Sequence, residues 1–293
     1  MKLITAIGER DLVARTCLLL DRHWSTRWPL RRGKGLFRRI VNVCARLGLA
    51  PAGWREYNGV TIWLDPTNYM SRCLLDSGTY QPEVAHAIVG NLPPGGTFVD
   101  VGANFGYMTM LAARQAGSTG RVFAVEPCPE IADLLREHLK RNDLRNVTVI
   151  QAGCSNQATS LPLYVAAASN PGKTSLSSDN AQSRRSVPVE VAPLDCLLLK
   201  YNPGRVDVLK IDVEGAELQV LQGAMETLKH FRPVIVAEID SRLLASFGTT
   251  PEDIFRLLGD LGYEHEPLSE HDIIARPLPL PVARQFHPKG LIL

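Results

Sequence analysis

Residues 98–113 read FVDVGANFGYMTMLAA, and the organisation of the chain follows from this stretch. FVDV is a short apolar run of strand type, and YMTMLAA repeats apolar residues at helical spacing. Between them stand Gly102, Asn104 and Gly106. A strand that passes through a glycine-rich turn into a helix lets a ligand approach the backbone, and the N–H groups of the helix start can face an anion. Dinucleotides and other adenosine cofactors both use such a turn. The dinucleotide fingerprint requires GxGxxG, whereas this loop runs Asp-Val-Gly-Ala-Asn-Phe-Gly, so a nicotinamide cofactor loses ground.

Outward from this turn, strand-like and helix-like segments alternate: VFAVE, IADLLREHLKRN, VTVIQA, VDVLKID, ELQVLQGAMETLKH, PVIVAEI and TPEDIFRLLGDLG. The alternation predicts an α/β fold with a Rossmann-like, doubly wound, mostly parallel sheet and crossover helices on both faces. Upstream, EYNGVTIWLD places Asn58-Gly59 beside an alternating apolar run, which predicts a hairpin, and YQPEVAHAIVGNLPPGG reads as a helix with a Pro/Gly stop. GLFRRIVNVCARLGLA is a basic amphipathic helix that either packs on a neighbouring surface or touches a membrane peripherally. We therefore divide the chain into an N-terminal helical accessory region, residues 1–53, and a catalytic domain, residues 54–293, with its core at 97–265. A polar insertion at about 155–190, including SNPGKTSLSSDNAQSRRS, reads as a substrate lid or a surface loop.

Composition bounds the partners. The 293 residues are 45% hydrophobic and 21% charged with a formal charge of +2, enough for a substantial core and too balanced to indicate nucleic acid. Six scattered cysteines form no CxxC pair or zinc-spaced cluster and read as reduced, mostly buried thiols. No run has the length or character of a signal peptide or membrane span, so the expected compartment is the cytoplasm. The amphipathic helix could also dock on a second copy, giving a homodimer.

In an open parallel sheet, ligands bind beyond the carboxyl ends of the strands. Here those ends carry Asp100 to Gly106, Glu126, Gln151, Asp212 to Glu214, and Glu238. Glu126 lies about 20 residues beyond the glycine turn and offers two acceptor oxygens to a vicinal diol. Asp212 and Glu214 follow the fourth strand, where a carboxylate could take a proton from an attacking hydroxyl. Glu214 could instead complement the dipole of a helix starting near Gly215, which favours Asp212 as the catalytic group. Lys210 lies two residues before Asp212 on the same strand face, and a buried lysine needs a carboxylate partner, Asp212 or Glu238. The acidic cluster could accept Mg²⁺ through oxygen ligands, but nothing in the sequence requires a metal.

DVGANFG, VEP and above all DVLKIDVEGAELQVLQGA, residues 207–224, resemble the FkbM-type family of class I S-adenosylmethionine-dependent methyltransferases. Lys210, Asp212, Glu214, Gly215, Glu217, Val220, Leu221 and Gly223 match its K-I-D-V-E-G-x-E and V-L-x-G run, and the resemblance extends from about Tyr57 to Gly262. It implies a seven-stranded sheet and O-methylation of a small-molecule hydroxyl on a sugar, glycolipid or polyketide-type acceptor, with S-adenosylhomocysteine as product. It further implies that Asp100, Gly102, Ala103, Asn104 and Gly106 cradle the cofactor, Glu126 holds its ribose, Gln151 sits near the adenine, and the segment carrying Tyr80 closes over it. Asp212, with Glu214, Glu238 and Lys210, then faces the acceptor. The family often has Asn where this chain has Gln151. Competing readings are a nicotinamide-dependent oxidoreductase and a cofactor-binding partner protein without catalysis.

Overall fold

The computed structural model describes residues 52–167 and 170–279, so the amphipathic helix of the accessory region lies outside the described residues. The chain begins with β1 (Gly53–Tyr57) and β2 (Val60–Leu64), then α1 (Tyr69–Ser77) and α2 (Pro82–Asn91). There follow β3 (Thr97–Val101), α3 (Tyr107–Ala116), β4 (Arg121–Val125), α4 (Pro129–Arg141), β5 (Val147–Ile150), β6 (Gly153–Cys154) and β7 (Thr159–Tyr164). The second half holds α5 (Ser178–Ala181), β8 (Ser186–Ala192), α6 (Leu194–Leu199), β9 (Val208–Ile211), α7 (Glu217–Gln222), α8 (Met225–Phe231), β10 (Val234–Glu238), α9 (Ser241–Ala245), α10 (Pro251–Asp260), β11 (Tyr263–Pro267) and β12 (Asp272–Pro277).

Seven strands form the main sheet in the order β11-β12-β10-β9-β3-β4-β5. β3, β4, β5, β9 and β10 run parallel, and β12 is antiparallel to both its neighbours. The order reverses at β3, which places the carboxyl ends of β3, β4 and β9 around one crevice. All five residues of β3 are buried, which fits a strand covered on both faces. One apolar core on one face joins Phe98 and Met110 to the hairpin residues Ile62 and Leu64; a second on the other joins Phe123, Leu209 and Ile211 to Val220, Leu228 and Leu258. Fully burying side chains such as Phe98 and Phe123 contributes about 1.5–3 kcal/mol each.

The predicted hairpin is present. Asn58 and Gly59 have φ of 50° and 78°, as a two-residue turn with left-handed backbone at both positions requires. Two contacts fasten it to α3 and α4, the helices beside the glycine turn. Asn58 Nδ2 donates to the Tyr107 hydroxyl at 2.8 Å, and the Trp63 N–H donates to His138 Nε2 at 2.9 Å. His138 is fully buried and its Nδ1 lies 2.7 Å from Phe105 O, so the proton sits on Nδ1 and the ring is neutral. Burial lowers its pKa, consistent with a structural histidine.

Two expectations are corrected. ELQVLQGAMETLKH forms two helices, α7 and α8, because the chain breaks at Gly223, where a Cβ would lie 2.1 Å from Ser155 O. The polar insertion is not a plain loop: β7 and β8 pair antiparallel through it and join β6 in a three-stranded sheet. Residues 263–277 form the β11–β12 edge of the main sheet. His265 there stacks on Phe255 at 4.1 Å, and His271 lies 3.9 Å from Asp240. Among the described cysteines, Cys128 and Cys154 are buried, whereas Cys73 is half-buried and Cys196 exposed. No helix among the described residues is long and apolar enough to cross a membrane.

Candidate active site

A cleft opens at the carboxyl ends of β3, β4 and β9. Its polar wall includes Tyr80, Asn104, Glu126, Asp212, Glu214 and Glu238, and its apolar wall includes Val125, Ile131, Ala152, Cys154 and Leu163.

Glycine works here through packing. Gly102, with φ of 79°, passes so close to the β9 loop that a Cβ would lie 1.8 Å from Asp212 O. Gly106, with φ of 88°, leaves room for Leu135 of α4, whose Cδ1 would be 2.2 Å from a Cβ. Left-handed backbone and close approach both require glycine at these positions. Gly102 lines the cleft, whereas Ala103 is buried and donates its N–H to Val125 O at 3.0 Å.

Glu126 ends β4 and is 5% exposed. Its Oε2 accepts the Asn104 N–H and its Oε1 the Cys128 N–H, both at 2.9 Å. Burial raises its pKa to about 7 against the lowering effect of these two bonds. Each oxygen retains acceptor capacity for a ligand.

Asp100 is fully buried beneath the turn rather than in the cleft wall. It accepts the Thr109 hydroxyl at 2.6 Å and stands 3.3 Å from Lys210 Nζ. Lys210 reaches Asp212 Oδ2 at the same 3.3 Å. Burial opposes its charge, but Asp212 and Asp100 overcome that opposition and raise its pKa, so it remains an ammonium. The ion-pair partners of Lys210 are thus Asp100 and Asp212 rather than Glu238, and its Nζ also donates to Gly102 O at 3.4 Å.

Asp212, Glu214 and Glu238 each bring one carboxylate oxygen within 4.8 Å of the others. Burial, then Asp212 and Glu217, raise the Glu214 pKa to about 8; burial, then Asp212 and Glu214, raise that of Glu238 to about 10. Glu238 Oε2 is buried without a hydrogen-bond partner. An oxygen-only set of this kind suits Mg²⁺, but carboxylates also gather this way without an ion. Tyr80 covers this end and packs edge-on against Tyr107 at 6.4 Å. Burial and the neighbouring carboxylates raise its pKa well above the usual tyrosine value, so its hydroxyl stays protonated.

Glu214 is not a helix cap. Helix α7 starts at Glu217, and Glu217 Oε1 accepts the N–H groups of Val213 and Gly215, both at 3.1 Å. Gln151 lies apart from the cleft wall: it is exposed, and Arg136 donates to its Oε1 at 3.0 Å. The sequence reading passed over Gln81 and the small residues Ala152–Cys154, all of which line the cleft. Gln81 carried one legible signal, its place beside Tyr80 in GTYQPE; Ala152–Cys154 carried none, since short apolar residues mark no chemistry.

These features fit an adenosine cofactor with a cationic sulfonium end. Glu126 would hold the ribose diol, the apolar wall would take the base, and the buried oxygens of Glu238 and Gln81 that lack protein donors would face ligand donors. The Methyltransferase FkbM domain matches residues 100–265. The chain is 31% identical over 205 residues to Methyltransferase sdnD of Sordaria araneosa, covering 60% of this chain and 76% of that protein. It is 29% identical over 161 residues to Hexuronic acid methyltransferase AglP of Haloferax volcanii, covering 55% and 60%. Among solved structures it is similar to Methyltransferase FkbM from Methylobacillus flagellatus, with 16% identity, a TM-score of 0.42, and coverage of 83% of this chain and 60% of that one. With its family domain spanning the strands that build the cleft, the chain belongs to the FkbM family of S-adenosylmethionine-dependent methyltransferases.

Proposed function

We propose that the protein methylates a hydroxyl group of a small molecule of sugar, glycolipid or polyketide type. The convergence of Asp212, Glu214 and Glu238 at one end of the cofactor cleft carries this reading. S-adenosylmethionine supplies an electrophilic methyl group when bound. An alcohol keeps its proton at neutral pH and needs an acceptor as it attacks, and an acceptor is most effective when its pKa lies near the working pH. Glu214, at about 8, meets that condition, whereas Glu238, at about 10, holds its proton and can donate a hydrogen bond. Asp212 is committed through Oδ2 to Lys210. We therefore assign proton acceptance to Glu214, and orientation of the acceptor hydroxyl to Asp212 and Glu238. Holding nucleophile and methyl group in line contributes the rest.

A sugar acceptor draws support from the relative named as a hexuronic acid methyltransferase. The test is incubation with methyl-labelled S-adenosylmethionine and a panel of uronic acids, neutral sugars, aliphatic alcohols, amines and carboxylic acids, with the labelled position read by NMR. A methyl ether is expected. Label found only on nitrogen or as a methyl ester would overturn the proposal.

A further inference from the structure

Two buried side chains of the insertion converge on a single backbone carbonyl. Asn180 of α5 is 7% exposed and Ser175 is 2% exposed. Asn180 Nδ2 donates to Glu214 O at 2.8 Å, and Ser175 Oγ donates to the same oxygen at 3.0 Å. Asn180 Nδ2 also donates to Leu243 O at 3.0 Å, and its Oδ1 accepts the Ser246 hydroxyl at 2.6 Å. Leu243 and Ser246 lie in and just after α9, beyond the strand that ends in Glu238. One side chain from the insertion therefore ties together the segments that follow β9 and β10.

The backbone it holds is an unusual one. Glu214 has φ of 56° and Gly215 of 109°. A non-glycine residue in the left-handed region costs about 1–3 kcal/mol and persists only where its surroundings over-determine it. Glu217 fixes the N–H side of this turn, as described above; Asn180 and Ser175 fix the carbonyl side. A Cβ on Gly215 would lie 2.7 Å from Asn180 Nδ2 and 2.5 Å from Leu243 O, so the close contact itself demands glycine there.

We propose that Asn180, seconded by Ser175, is a positioning residue that sets the direction of the Glu214 carboxyl group. In this part of its course the insertion is a fixed brace for the acidic end of the cleft. Asn180 does not line the cleft, so it acts through Glu214 and not on a ligand, whereas Ser175 lies in the cleft wall as well as on the Glu214 carbonyl. The functional weight of this placement rests on the assignment of Glu214 as proton acceptor.

The test uses full-length protein labelled at glutamate side-chain carboxyl carbons, with the Glu214 resonance identified by its loss in Glu214→Gln and S-adenosylmethionine as the binding probe. In the unsubstituted protein the resonance should stand apart from that of a solvated glutamate. Asn180→Ala should move it at least halfway to the solvated value while the cofactor dissociation constant stays within about threefold. Asn180→Asp, which turns the donor into an acceptor facing two carbonyls, should do the same. Ser175→Ala should give a smaller movement in the same direction, and Ser175→Thr, which keeps the hydroxyl, should not move it. An unmoved resonance in folded Ser175→Ala would overturn the proposal even if the Asn180 variants fail to fold. So would a resonance already at the solvated value in the unsubstituted protein, or a loss of cofactor affinity with Glu214 unmoved. Methyl transfer is not read here, so failure of the hydroxyl-acceptor reading would show separately.

Discussion

The backbone N–H of Asn104 donates to Glu126 Oε2 at 2.9 Å, which makes the turn after β3 and the carboxylate that ends β4 a single unit. Glu126→Ala should therefore remove a ligand acceptor and also release the turn. Affinity for S-adenosylmethionine is expected to fall by roughly 10- to 100-fold, about 1.4–2.8 kcal/mol, with cooperative unfolding retained. Titration calorimetry and a thermal melt check both halves; unchanged affinity would remove Glu126 from the cofactor site.

Glu214 and Asp212 should separate in kinetics once an acceptor is identified. Glu214→Gln is expected to lower kcat by roughly 10²- to 10⁴-fold with little change in cofactor affinity. Asp212→Asn should lower kcat less, and should also disturb cofactor binding through Lys210, its partner at 3.3 Å. Equal losses in the two variants would argue against distinct roles.

Gly106 and Leu135 make a packing pair that can be tested without any ligand. Gly106→Ala places a Cβ 2.2 Å from Leu135 Cδ1 at a φ of 88°, and should cost roughly 1–3 kcal/mol in denaturant unfolding. Adding Leu135→Ala should recover the steric part and leave the backbone part, a non-additivity that a double-mutant cycle measures. Gly102→Ala should be more damaging, because the obstacle there is the Asp212 carbonyl, which is backbone and cannot rotate away.

Four glutamates, Glu126 and Glu217 buried and Glu214 and Glu238 half-buried, fix the sign of the pH dependence. Glu126 and Glu217 are raised to about 7, Glu214 to about 8 and Glu238 to about 10, each chiefly by burial. Above the unfolded-state value of roughly 4.3, the folded protein then binds more protons than the unfolded chain, so stability declines as pH rises. Each contribution levels off above its folded pKa, and the decline should be largest in sum between about pH 5 and 8, with Glu238 continuing it toward 10. Buried His138 acts in the opposite sense below its unfolded value, so urea midpoints are best compared at about pH 7 and 9. The midpoint should be lower at the higher pH, and Glu238→Gln should flatten the difference.

The sheet was legible because its parallel strands are short apolar runs, most of them followed by a polar residue at the crevice. VFAVE and the VIVAE of PVIVAEI have this form, and VDVLKID ends in Asp212. The β7–β8 pair was hidden for a physical reason. Pro162 faces Pro188 across it, and a proline in an alternating run reads as a break because it lacks the N–H that a ladder uses. The carboxylates of the cleft stood out in the sequence because charged residues at strand ends need an explanation. The apolar half of the cleft did not, since Ile131, Cys154 and Leu163 become neighbours only through the packing of α4, β6 and β7. Likewise the brace from Asn180 to Glu214 spans 34 residues and depends on a side-chain contact that periodicity does not encode.

The most direct test of the central claim, that this cleft holds S-adenosylmethionine, is calorimetric titration of the full-length protein and its Glu126→Ala variant with S-adenosylmethionine, S-adenosylhomocysteine and NAD, a chelator being present throughout. One-to-one binding of both sulfur compounds, weakened in Glu126→Ala, with no heat from NAD, is the expected result. Equal binding to the two proteins, or preference for NAD, would contradict it.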